Sequence, residues 1–238
     1  MAKCQRCRRL QAVRRLEVRE VSEELLEVVI RHPGLKEMRI HTDISSVHPQ
    51  LLAKAVLKLE EVELRETLLT PQQATAICTA LKGNSKTKVL DMSTYNKMSS
   101  PLDLSTVDAD ILAQAVAQME EVGLEGTKLT PQQVEAVFAA LDASCHLKVL
   151  RIGHNTLSSL DPDVLARVVN KLETVDLIWA HLSRQQQTRI FARSLLTINL
   201  RHLNMKGAMM GNGGSLEQRK TMEEICRQAR KVIPELYF

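Results

Sequence analysis

Apolar residues recur along the chain in one short arrangement: a leucine-like residue, then two more placed three and five positions later. Leu147, Leu150 and Ile152 show it most clearly, and Asn155, Leu157 and Leu160 follow them. The alternation around Leu150 and Ile152 has the period of two that puts both side chains on one face of a strand, and Asn155 stands where the chain must turn. The spacing returns at Leu59/Val62/Leu64, Met119/Val122/Leu124, Leu172/Val175/Leu177 and Leu195/Ile198/Leu200. Weaker versions lie at Val13/Leu16/Val18, Leu35/Met38/Ile40 and Leu90/Met92, so the pattern predicts eight strands.

Between these strands the apolar spacing becomes helical, behind two kinds of start signal. Thr70-Pro71-Gln72-Gln73 and Thr130-Pro131-Gln132-Gln133 place Thr at the N-cap, Pro at the first helical position and Gln at the capping-box position, and Ser183 with Gln186 repeats the box without Pro. Helices of the second kind open at His48, Asp108 and Asp161, and the two kinds alternate. Two adjacent units therefore form a larger repeat. LEEVELRETLLTPQQ at 59–73 returns as MEEVGLEGTKLTPQQ at 119–133, and a looser copy starts at Leu172, giving spacings of 60 and then 53 residues. Stacked units of this kind bury a core that none could bury alone.

The difference in spacing lies in STYNKMSSPLDLST at 93–106, whose Pro, Ser and Asn predict a protruding loop. GAMMGNGGS from Gly207 predicts a flexible connector, since the Lys-Ser/Thr of a phosphate-binding loop is missing. The expected organisation is a basic segment at 1–12, a solenoid at 13–206, a connector at 207–214 and a capping helix with its tail at 215–238, the helix running from about Leu216 to Val232.

The pattern L-x-x-L-x-L-x-x-N-x-L, joined to two alternating helix types, resembles the ribonuclease-inhibitor-like class of leucine-rich repeats. It is similar to the repeat region of intracellular nucleotide-binding immune receptors. The resemblance runs from about Val13 to Leu203. It implies an α/β horseshoe of about eight repeats, with a parallel sheet on the concave face, helices outside, and protein recognition as the usual task. Asn155 is the one asparagine in register at the turn; Thr67, Thr127, Ala180 and Leu203 are expected at the others.

Composition narrows the chemistry. With 44% apolar and 25% charged residues in 238, the chain can bury a continuous core, while a net charge of +4 gives no general affinity for polyanions. Seven bases between Lys3 and Arg19 face only Glu17, which leaves nucleic-acid binding by that end as an alternative, although 3% aromatic residues offer little for base stacking. No signal-peptide-like apolar run and no membrane-length apolar stretch occurs, so a cytoplasmic protein with reduced cysteines is expected. Cys4 and Cys7 form a C-x-x-C without the second pair that a zinc site needs. No catalytic set, metal site or cofactor motif is recognised, and Glu60-Glu61 and Glu120-Glu121 recur with the repeat, as solvated positions beside a strand would.

The residues flanking the inward strand positions must face outward on the concave sheet. A central row of Glu17, Arg39, Glu63, Asp91, Gly123, Arg151, Asp176 and Asn199 is expected, and beyond it a row that includes Arg65, Glu125, Ile178 and Arg201. Trp179, the single tryptophan, follows Ile178 where other units carry Glu66, Gly126 and His154. The candidate partner-binding residues are Arg39, Glu63, Asp91, Arg151, Asp176, Ile178, Trp179, Asn199 and Arg201. The function expected is a non-catalytic protein-interaction module, a sensor fragment or scaffold; a regulator of another enzyme, such as an inhibitor or GTPase activator, is the alternative.

Overall fold

The computed structural model describes residues 13–83, 86–94, 102–143, 146–194, 199–208, 224 and 227–237. Nine parallel strands form one sheet in sequence order. They are β1 (Arg15–Val18), β2 (Glu37–Ile40), β3 (Glu61–Glu63), β4 (Val89–Asp91), β5 (Glu121–Gly123), β6 (Val149–Arg151), β7 (Thr174–Asp176), β8 (His202–Asn204) and β9 (Glu235–Tyr237). Seven helices alternate with them among the described residues: α1 (Glu23–Arg31), α2 (Pro49–Lys58), α3 (Pro71–Leu81), α4 (Ala109–Ala117), α5 (Pro131–Ala143), α6 (Pro162–Lys171) and α7 (Arg184–Ser194). A helix is about 10 Å wide while neighbouring strands lie about 4.8 Å apart, so one helix per strand splays the outer layer and leaves the sheet on the concave side.

The inward residues stack in register. Met38, Val62, Leu90, Val122, Leu150, Val175 and Leu203 are buried one behind another, and Ile40, Leu64, Met92, Leu124, Ile152, Leu177 and Met205 form the next file. The fourth unit looked weak in sequence because Thr87 takes the place of its first leucine. Its buried hydroxyl donates to the carbonyls of Val56 (3.2 Å) and Leu59 (2.9 Å), which removes the cost of putting a polar group there.

The helix starts are built as expected. Thr70 and Gln73 exchange side-chain-to-backbone bonds in a full capping box, as do Thr130 with Gln133 and Ser183 with Gln186. The glutamines do more than cap. Gln73 is buried and its amide donates to the carbonyls of Ile44 and Val47; Gln133 does the same to Leu104 and Val107, and Gln186 to Leu157 and Leu160. Each ties its helix to the unit before it. α2 packs most closely on α3, α4 on α5 and α6 on α7, the pairing behind the larger repeat.

Three expectations change. The eighth strand is His202–Asn204, set by Leu200, Leu203 and Met205 rather than by the expected Leu195, Ile198 and Leu200, so Leu203 is a core residue and Ala208 stands at the turn; Leu195 and Ile198 lie outside the described residues. A ninth strand, with buried Ile233 leading into Leu236, extends the sheet beyond 206. The 93–106 segment does not protrude throughout: Ser93, Thr94, Leu102 and Leu104 are buried, Leu104 matching Ile44 two units earlier. Residues 95–101, and most of 207–232, lie outside the described residues, although Glu224 and 227–229 are helical.

Candidate functional site

Strand register turns the concave face into three outward rows. The first holds Arg15, Glu37, Glu61, Val89, Glu121, Val149, Thr174, His202 and Glu235. The central row holds Glu17, Arg39, Glu63, Asp91, Gly123, Arg151, Asp176, Asn204 and Tyr237. Just beyond the strands follow Arg19, His41, Arg65, Ser93, Glu125, Gly153, Ile178 and Lys206. Six of the nine candidates, Arg39, Glu63, Asp91, Arg151, Asp176 and Ile178, stand where their spacing placed them, and Trp179 follows at the rim.

Asn199 and Arg201 do not belong to these rows. The shift of the eighth strand puts Asn204 and Lys206 in their places. Arg201 precedes β8, its amide donating to the Glu173 carbonyl, and so falls at the opposite end of the strand from the expected one. There it completes a row of alternating sign: Lys36, Glu60, Lys88, Glu120, Lys148, Glu173 and Arg201. Lys36 pairs with Glu60 at 2.8 Å, and Glu120 takes both Lys88 at 2.9 Å and Lys148 at 2.7 Å. Hydrogen bonds from Lys148 and Lys88 hold the Glu120 carboxyl down at about 2. The first glutamate of each Glu-Glu pair is thus a bridge between units; the second belongs to the concave face.

In the middle of that face the charges interlock. Arg39 reaches Glu63 at 3.0 Å, and Arg65 spans Glu63 (3.3 Å) and Asp91 (2.7 Å). Arg151 lies 3.8 Å from both Asp91 and Glu121, reaching back across Gly123. Asp91 also accepts from the Ser93 amide at 2.9 Å. Gly123 permits this convergence, because a Cβ there would come within 2.3 Å of the Asp91 carboxylate and 2.7 Å of the Ser93 hydroxyl. The network walls a depression of about 240 Å³ that also takes in Glu37 and Glu61. Burial raises the pKa of the Glu61 carboxyl, and Glu37 adds to the effect.

Towards the C-terminal strands the face changes character. Asp176 accepts from the Ile178 amide at 2.9 Å and from the Asn204 side chain at 3.1 Å. Ile178 lies over Gly153, where a Cβ would meet the Ile178 carbonyl at 2.4 Å. Trp179 is left-handed, with φ of 51°, and 47% exposed. The equivalent turn positions Glu66, Gly126, His154 and Gly207 share that backbone conformation. A Cβ on Gly207 would fall 2.4 Å from the Cδ2 atom and 2.7 Å from the Cε2 atom at the ring fusion, so the indole lies flat against this glycine. The ring thus packs on the adjacent turn with one part and is presented to solvent with the other. Tyr237, 51% exposed on the central row, rests beside His202 with ring centroids 5.3 Å apart.

Cys78 is fully buried and burial pushes its thiol up to about 12, far from a nucleophile's range. Among the described residues no group of His, Cys, Asp or Glu could hold a metal ion, and Cys4 and Cys7 lie outside them. No described helix is long and apolar enough to cross a membrane. The residues missed in sequence were Glu37, Glu61 and Glu121, one outward position earlier on each strand, and Tyr237 on the unexpected ninth.

Comparison with known proteins agrees with this geometry. The leucine-rich repeat-containing protein LegL7 from Legionella pneumophila superposes with a TM-score of 0.54 at 15% identity, over 94% of this chain and 81% of that one. The fold is a leucine-rich repeat solenoid. An internalin from Listeria monocytogenes (TM-score 0.32, 14% identity, 97% of this chain and 88% of that one) and TLR13 in a complex with single-stranded RNA (0.39, 14%, 83% and 33%) are more distant. No protein-family model and no curated protein matches the sequence.

Proposed function

We propose that this leucine-rich repeat chain is a non-catalytic interaction module that recognises a protein partner on its concave face. The observation that carries the reading is Trp179. A bulky residue in the left-handed region costs about 1 kcal/mol relative to glycine, and here the conformation presents half an indole to solvent beside the polar rows. Half-exposed aromatic side chains on a rigid scaffold are the usual anchors of protein interfaces. The alternation of two helix-bearing units supports a place in the ribonuclease-inhibitor-like class, and the buried, unpaired thiol of Cys78 fits a reducing, cytoplasmic compartment.

Affinity capture from a nuclease-treated lysate of the source cell tests the reading. The intact chain is compared with a Glu61→Arg/Asp176→Arg/Trp179→Ala variant whose unfolding transition matches the intact protein's. Proteins held by the first and lost by the second support recognition by this face; identical sets refute it.

A further inference from the structure

We propose that the partner meets the concave face with a net-cationic surface, setting arginine or lysine side chains onto Glu61 and Asp176. The inference rests on the reading of this face as the recognition surface and adds the chemistry of what binds there.

The charge of the face is opposite to that of the chain. Its three outward rows carry nine carboxylates against six arginines or lysines, a balance of −3, whereas the whole chain is +4 and the described residues outside the rows stand at +2. A net-negative face steers a cationic surface to the sheet. It equally disfavours the phosphate backbone of a nucleic acid on this face.

Within the rows, four of the six cations are already paired, Arg15 with Glu37 at the first strand. Arg39 and Arg65 hold Glu63, and Arg65 and Arg151 hold Asp91. Arg151 is the register neighbour of Asp176 yet reaches the other way, across Gly123, so Asp176 keeps only amide donors. Among the described residues neither Asp176 nor Glu61 makes a salt bridge. Glu61 stands between Glu37 and Glu121 in the first row, with Val89 where a fourth charge would stand; burial above all raises its pKa, and Glu37 adds to the effect. A cation brought by a partner relieves that repulsion. At the other end, Asp176 and the exposed indole of Trp179 both lean over β8, towards Asn204 and Gly207. A guanidinium is the side chain that pairs with carboxylates and stacks on aromatic faces alike.

Trp179 is the only tryptophan, so its fluorescence reports on this end of the face directly. The test titrates the full chain with a capped octapeptide of alternating glycine and arginine, and with the same peptide carrying citrulline or glutamate, by fluorescence and calorimetry at two salt concentrations. The inference expects saturable binding of the arginine peptide that perturbs Trp179 and weakens with salt. Replacing arginine with citrulline, or Glu61→Gln/Asp176→Asn in the protein, should weaken it about fivefold or more. Equal binding of the glutamate or citrulline peptide would overturn it. So would calorimetric binding that leaves both Trp179 and the double variant unaffected, or a single-stranded oligonucleotide whose binding depends on Glu61 and Asp176. If the arginine peptide fails while the concave variant still loses its partner in the capture experiment, the cationic inference falls and concave recognition stands. If the captured proteins are identical, both fall together.

Discussion

Asn155 shows how much one side chain can hold. Its amide donates to the carbonyls of Leu124 (2.8 Å), Ile152 (3.1 Å) and Gly153 (3.1 Å), and its carbonyl accepts from the Leu129 amide (3.1 Å). Asn155→Ala leaves these buried groups unpaired and should cost about 2 kcal/mol in chemical denaturation. Thr67 and Thr127 replace the residue with a hydroxyl that reaches fewer carbonyls. Gly123→Ala should displace the Asp91 carboxylate that closes on it, loosening Arg65 and Arg151 and costing about 1–3 kcal/mol. Trp179→Gly behaves differently. Relief of the left-handed strain offsets the lost packing on Gly207, so stability should stay within about 1 kcal/mol while partner binding falls. A parallel loss of both would make Trp179 a packing residue.

At the scale of elements, strands and helix starts were legible because each unit repeats a spacing with one physical meaning. The Gln of each Thr-Pro-Gln-Gln start was recognised as a cap, but its second pair of bonds, to carbonyls 26 and 29 residues earlier, joins distant units that no local spacing reveals. The eighth strand was misplaced because Leu195, Ile198 and Leu200 satisfy the same apolar pattern as Leu200, Leu203 and Met205; sequence cannot choose between registers that share Leu200. The ninth was missed because Ile233 and Leu236 follow a stretch that reads as one amphipathic helix. Ion pairs between helices also escape sequence. Asp142 on α5 holds Arg167 (2.8 Å) and Lys171 (3.0 Å) of α6, and Arg167 above all lowers its carboxyl from 3.8 to about 2. A depressed acid stabilises the fold above its unfolded pKa and loses that contribution as pH falls through the folded one. Urea midpoints measured from pH 5 down to about 2 should therefore fall less steeply in Asp142→Asn than in the intact chain.

For the whole molecule, the solenoid divides labour between its faces. The convex side spends its polar groups on caps and interhelix pairs, and the concave side gathers the acids, the arginines that partly neutralise them, and the exposed Trp179 and Tyr237. The rows could be read from the sequence once the strand period was fixed. Their net charge was not, because the first outward row, which supplies the excess of acid, was not among the rows expected; nor was the freedom of Asp176, because Arg151 turns towards Asp91. The decisive measurement is the equilibrium affinity of a captured partner for two folded variants, the concave Glu61→Arg/Asp176→Arg/Trp179→Ala and the convex Lys54→Ala/Gln114→Ala/Arg189→Ala. Recognition by the sheet predicts a loss of about 100-fold or more for the first and less than about twofold for the second. Equal losses, or a larger loss for the convex variant, would place the recognition surface elsewhere and contradict the account.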